Sequence, residues 1–162
     1  MSVNDSKFVR HIVQRFAMGV ALLFAFHGVS SAQETGGSEV VGGMIAYYGV
    51  VPSQLVGAHP PGHPEARMHG GVPSGKRSHH VIVALFDQES FERITDATVS
   101  ATVAEVGLAG QTKPLEPFTV DDALTYGNYF DLTPRTLYRI TVSVRAPGKA
   151  AEAKFRFDFK HQ

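Results

Sequence analysis

Apolar and polar residues alternate with a period of two over much of the second half of the chain. The pattern is clearest in residues 97–103, 138–144 and 155–159. Successive side chains of a strand point to opposite faces, so this alternation predicts half-buried strands. Residues 79–87 are apolar on both faces after two leading histidines, which is typical of a central strand.

Three further strands are predicted from weaker patterns. Residues 44–51 form a short apolar and aromatic run, and residues 126–132 follow a polar turn. Residues 113–120 contain Pro114 and Pro117, which indicate an edge strand because proline cannot donate to a sheet ladder. No helix is predicted. About seven short strands with regular turns predict an all-β fold, an antiparallel immunoglobulin-like β-sandwich.

The phenylalanines at the C-terminal end of the chain form one face of a predicted strand. Phe155, Phe157 and Phe159 alternate with charged residues. An aromatic stripe of this kind could serve as a binding platform, but the charges on the opposite face favour a core position.

The first 32 residues have the pattern of a secretory signal peptide. A basic segment precedes the apolar run 16–26, and small residues, Ser30 and Ala32, stand before Gln33. We therefore expect a mature protein that begins at Gln33 and is exported to a bacterial periplasm. An uncleaved N-terminal anchor is the alternative, although the run is shorter than the roughly 20 residues that span a membrane.

The remaining chain is predicted to hold one domain. Residues 33–43 are rich in glycine, serine and glutamate and predict a flexible mature N-terminus. Residues 44–162 are predicted to form a single β-sandwich domain. Within it, residues 52–78 form a long loop rich in histidine, proline and glycine, and long loops in compact domains are usually functional or disordered.

Composition excludes several functions. After removal of residues 1–32, 12 basic and 14 acidic residues remain, which gives a net charge of 12 − 14 = −2 with neutral histidines. This balance predicts no nucleic-acid partner and no membrane insertion after signal cleavage. The chain has no cysteine, so thiolate zinc sites and thiol catalysis are excluded. No nucleophile–base motif is recognisable, and we expect no enzymatic activity.

The candidate chemistry lies in the segment 59–80. Five of the eight histidines of the chain fall in this segment, together with one methionine. Imidazole and thioether are ligands that suit copper. The candidate metal ligands are His59, His63, Met68, His69, His79 and His80.

His79 and His80 are adjacent on a predicted strand, so they point to opposite faces and only one is expected to face a shared metal ion. His161 lies in the C-terminal tail, outside this set of ligands. The alternative is that the loop histidines are solvated polar residues and that Met68 only packs against the domain.

Parts of the sequence resemble known families of exported proteins. Residues 79–87, 93–99 and 138–144 are similar to strands of the YtkA-like family of β-sandwich domains. Met68, His79 and His80, and the triplet 126–128 (Tyr-Gly-Asn) resemble periplasmic iron-uptake proteins that carry a copper site on an immunoglobulin-like fold.

Together these resemblances cover about residues 68–160, and they imply copper as the bound metal. Thr125 stands where the iron-uptake family has a histidine ligand. A loop histidine would therefore have to take that ligand's place.

Two functions remain open from the sequence. The first is an exported, non-catalytic protein that binds or transfers a transition metal, and copper is the first candidate for that metal. The alternative is a metal-free periplasmic interaction or assembly module, in which a sheet edge or the strand with Tyr47 and Tyr48 holds a partner protein.

Overall fold

Antiparallel strands build the part of the chain that the structure, a computed structural model, describes, namely residues 36–56, 71–120 and 122–162. The elements are β1 (Gly36–Val41), β2 (Met44–Pro52), α1 (Ser53–Val56), β3 (Ser78–Asp87), β4 (Thr98–Glu105), β5 (Gln111–Val120), β6 (Ala123–Asp131), β7 (Leu137–Arg145) and β8 (Ala153–Lys160). The predicted all-β antiparallel class is confirmed, with eight strands in place of about seven.

The strands are hydrogen-bonded in the order β1-β2-β3-β6-β5-β4-β7-β8. Side chains of the two halves of this order meet in one apolar core. Tyr48 on β2, for example, stacks on Phe157 of β8 with ring centroids 4.2 Å apart. This arrangement places the start of β3 next to β6 on one side and to the end of β2 on the other.

The position of β5 differs from the prediction of an edge strand, because β5 lies between β6 and β4. Residues 111–115 pair with β4 and residues 116–120 pair with β6. Each half therefore has one strand partner along its length and behaves as an edge, where Pro114 and Pro117 are tolerated. The prolines therefore indicate an edge correctly for each half of β5, but β5 as a whole is not an edge strand.

The predicted flexible N-terminus, residues 33–43, is wrong for residues 36–41, which form β1. This strand pairs with β2 through a two-residue turn at Gly42 and Gly43, whose φ angles are 58° and 72°. Two positive φ angles suit a type I′ hairpin turn, and glycine adopts them without strain. The glycines that indicated flexibility are thus the residues that close a hairpin.

The predicted loop 52–78 also contains regular structure at both ends. Pro52 belongs to β2, and Ser53–Val56 form the short helix α1, although no helix was predicted. Val56 is buried, so the apolar side chain anchors this turn to the domain. Residues 57–70 lie outside the described residues.

The aromatic stripe of β8 belongs to the core, as predicted. Phe155, Phe157 and Phe159 are 0%, 5% and 3% exposed, while the charged residues between them are exposed. The inward residues of β7 are buried against them, and they are Tyr138, Ile140, Val142 and Val144.

The strand with Tyr47 and Tyr48, one of the two surfaces suggested for the interaction module, is not a free sheet edge. It is β2, which is hydrogen-bonded to β1 on one side and to β3 on the other. Tyr48 is buried, whereas Tyr47 is about half exposed and packs edge-on against Phe86. At the ends of the strand order, the Glu39 carboxylate of β1 accepts the backbone N–H of Arg156 on β8.

Residues 1–32, the predicted signal peptide, lie outside the described residues. Within the described part of the chain, no helix is long and apolar enough to cross a membrane.

Candidate metal centre

The first residues of β3 are polar and buried. Ser78, His79 and His80 are 2%, 3% and 1% exposed. His79 pairs across the strands with Phe130 and His80 with Tyr129. The two imidazoles lie against different groups of side chains, which agrees with the opposite faces that the strand period predicts.

The imidazole of His80 lies in an aromatic environment. It stacks on Tyr129 with ring centroids 4.6 Å apart and lies 5.2 Å from the ring of Phe118. Gly127 leaves room for it, because a Cβ at that position would lie 2.6 Å from Nε2 of His80 and 2.8 Å from Phe118. Gly127 therefore has a steric role in the position of the His80 ring.

The other two members of the Tyr-Gly-Asn triplet hold β6 in place. The Tyr126 hydroxyl accepts the N–H of Ala97 at 3.0 Å and donates to the carbonyl of Ile94 at 3.4 Å. Burial raises the pKa of Tyr126, so the phenol stays protonated. Asn128 Nδ2 donates to the Pro114 carbonyl at 2.7 Å and thereby links β6 to the part of β5 that pairs with β4.

Thr125, which stands where the similar family has a histidine, pairs in register with Phe118. Its hydroxyl donates to the Ala123 carbonyl at 3.4 Å. The rings that β5 and β6 place against His80 are those of Phe118 and Tyr129, whereas a metal site would need imidazole or thioether ligands there.

His79 has a defined tautomer. Its Nδ1 lies 2.8 Å from the carbonyl oxygen of Arg77, which also accepts the N–H of Leu132 at 2.8 Å. Because a carbonyl can only accept, Nδ1 carries the proton and Nε2 keeps its lone pair. Metal-binding histidines usually show this arrangement, in which a carbonyl orients the ring and leaves the other nitrogen for the ion.

Burial lowers the pKa of His79 below its usual value. The hydrogen bond to Arg77 raises this pKa, the neighbouring His161 lowers it, and the carboxylate of Asp131 raises it. Since the net direction is downward, the imidazole is neutral at neutral pH, which is the form that binds metals.

His161 contacts His79, a contact that the sequence analysis missed. Their ring centroids are 4.4 Å apart with the planes at 76°. The backbone N–H of His161 donates to Thr136 at 3.0 Å, and its ring stacks on Phe159 at 6.2 Å. The signal was present in the sequence, because the period of two through Phe157 and Phe159 places His161 on the same inward face.

The remaining predicted ligands, His59, His63, Met68 and His69, lie outside the described residues. Within residues 36–56, 71–120 and 122–162, no group of three histidine, cysteine or acidic side chains converges to hold a metal ion. The described part of the chain brings together only the pair His79 and His161. His80 lies apart from this pair, against its own group of side chains.

Solved structures similar to this chain include copper-bound proteins. A copper-bound variant of FetP from uropathogenic Escherichia coli strain F11 has 16% identity and a TM-score of 0.59, and the match covers 78% of this chain and 95% of FetP. Copper-reconstituted P19 from Campylobacter jejuni has 12% identity and a TM-score of 0.58, with 79% and 94% covered.

A DUF4426 family protein from Pseudomonas aeruginosa PAO1 is similar as well, with 18% identity, a TM-score of 0.57, and 79% and 98% covered. No protein-family model and no curated protein sequence matches the chain. At these identities the similarity concerns the fold, which this chain shares with FetP and P19.

Proposed function

We propose that this chain is an exported periplasmic protein that binds or transfers a transition metal without catalysing a reaction. Copper is the first candidate for that metal. The observation that carries this proposal is the pair of buried imidazoles that opens β3, directly after the histidine-rich loop. Two copper-bound proteins of the same fold, FetP and P19, support it.

The burial of His79 argues against a purely structural role. An aliphatic residue would fill the strand interior without burying a polar ring, whose Nδ1 here bonds the Arg77 carbonyl and whose Nε2 keeps its lone pair. The ring of His80 stacks on Tyr129 and occupies the space that the missing side chain of Gly127 leaves. Rigid placement of this kind suits a ligand, because a preorganised donor loses little freedom when the ion binds.

We propose His80 as the strand ligand of the copper site and His59, His63, Met68 and His69 as the loop ligands. The segment that carries these loop residues leads directly into β3 and His80. A thioether with several imidazoles is the ligand set expected for copper, and the thioether favours Cu(I). A loop histidine would replace the ligand that Thr125 lacks.

A competition titration of the exported protein with Cu(I) and Cu(II) against a chelator tests this site. The double substitution Met68→Leu with His69→Gln, and separately His80→Gln, should weaken copper binding by at least about tenfold, because even lost outer-shell groups cost that much. Lys154→Gln, an exposed change on β8, is the control. Equal affinities in all four proteins would contradict the proposal.

Two further properties follow from the same ligands. Met68→Leu alone should weaken Cu(I) binding more than Cu(II) binding, because thioether is the softer donor. Copper affinity should fall below a pH of about 6.5, where protons compete for ordinary imidazoles. Weak, pH-insensitive binding in every variant would favour the metal-free interaction module.

The export part of the proposal has its own test. Intact-mass analysis of the protein recovered from the periplasm should give a chain that begins at Gln33. A periplasmic species that retains residues 1–32 would instead support the uncleaved anchor.

A further inference from the structure

We propose that His79 and His161 form a second metal site, a two-imidazole site for a divalent ion of the copper, nickel and zinc group. The site uses none of the loop residues and lies on the opposite face of β3 from His80. It therefore goes beyond the proposed copper site and can stand or fail independently of it.

The spacing of the two rings fits a shared ion. An ion about 2.0 Å from one nitrogen of each imidazole places the ring centroids roughly 4.5–5.2 Å apart for bond angles between about 90° and 109°. The observed separation of His79 and His161 is 4.4 Å, with the ring planes at 76°. The observed separation thus lies at the lower edge of the range for two neighbouring ligands of one metal.

The donor atoms are available on both rings. Nδ1 of His79 donates a hydrogen bond to the Arg77 carbonyl, so Nε2 is the nitrogen with the lone pair. Nδ1 of His161 is buried and has no hydrogen-bond partner among the residues that the structure describes. A buried nitrogen without a partner is costly, and a bound metal ion would satisfy it.

A site built from this pair is open. Two protein ligands leave coordination positions for water, in contrast to the four protein ligands of a closed structural site. We therefore expect an exchangeable site, as a protein that hands over a metal requires.

The substitution His161→Gln tests the site, because His161 lies beyond the last strand and its removal leaves the sheet pairing intact. In a competition titration with Cu(II) and with Zn(II), it should remove one binding equivalent or weaken it at least about tenfold. Lys160→Gln, an exposed neighbour, should bind as the wild type does. Unchanged stoichiometry and affinity in His161→Gln would overturn the proposal.

The two sites can be distinguished with the loop variant. Met68→Leu with His69→Gln should retain the equivalent that His161→Gln loses. If only the loop variant loses metal, the second site is wrong and the proposed copper function stands. If only His161→Gln loses metal, the second site stands and the loop ligands are wrong.

Nitrogen NMR of the wild-type imidazoles gives a readout that does not depend on any substitution. Addition of Zn(II), which is diamagnetic, should shift Nε2 of His79 and Nδ1 of His161 together and in proportion to occupancy. Resonances of either ring that stay unchanged at saturating Zn(II) would show that the rings only pack against each other, and would overturn the proposal.

Discussion

The polar side chains at the two ends of β3 differ in how many of their polar atoms are hydrogen-bonded. At the end of the strand, Asp87 accepts the Lys149 ammonium at 2.7 Å and the N–H groups of Glu89 and Ser90 at 2.9 and 3.0 Å. At the start of the strand, the one hydrogen bond that His79 makes to the described residues runs from Nδ1 to the Arg77 carbonyl, and Nε2 keeps its lone pair.

The difference separates a structural polar group from a candidate ligand. The carboxylate of Asp87 is fully engaged in closing a turn and an ion pair, so little of it remains for an outside partner. The imidazole of His79 is oriented by one nitrogen, which leaves the other for an ion. Partial use of a buried polar group thus points to function more strongly than burial alone.

The largest expected effect concerns the apolar core that supports both ends of β3. Phe157→Ala should lower the free energy of unfolding by about 3–5 kcal/mol, because a buried aromatic side chain is lost. Arg156→Ala, on the exposed face, should change it by within about 0.5 kcal/mol. Chemical denaturation measures both, and equal losses would show that the facing of β8 is wrong.

A smaller effect is expected at the histidine end. Gly127→Ala places a Cβ against His80 and Phe118 and should cost about 1–3 kcal/mol. Gly75→Ala is a matched control, because its Cβ would meet only an ordinary contact at 4.0 Å.

The double variant Gly127→Ala with His80→Ala should lose less stability than the sum of the two single variants. Additive losses would mean that Gly127 does not make room for the His80 ring.

The ion pair of Asp87 should make the free energy of unfolding depend on pH in the acid range. The hydrogen bond from the Lys149 side chain, followed by the N–H groups of Ser90 and Glu89, lowers the pKa of Asp87 well below its usual value. The unfolded chain binds this proton first, so the stabilisation is present above a pH of about 4 and is lost as the pH falls towards the folded pKa.

Lys149→Met should therefore flatten the acid limb of a stability–pH curve. An unchanged acid limb would mean that Asp87 does not depend on this ion pair.

Most of the fold could be predicted from the sequence, because β4, β7 and β8 show a strict alternation that follows directly from burial of one face. β1 was missed because Gly42 and Gly43 indicate flexibility as readily as a tight turn. The position of β5 was missed because strand order depends on pairings between distant residues.

The candidate site was less predictable. The strand period correctly separated His79 from His80, since that rule is local. The contact between His79 and His161 joins residues 82 positions apart (161 − 79) and depends on how the two halves of the sheet pack. The four loop ligands lie outside the described residues and remain a prediction.

The most direct test of the central claim, that the buried imidazoles of β3 are there to bind metal, is the copper-dependent gain in unfolding free energy. In the wild type, free copper at 100 times the dissociation constant should add about 2.7 kcal/mol. A variant with His79→Gln and His80→Gln, measured at the same copper concentration and against its own copper-free curve, should gain about 1.4 kcal/mol or less, because its affinity is expected to be at least about tenfold weaker. An equal gain in both proteins, or none in the wild type, would contradict the claim.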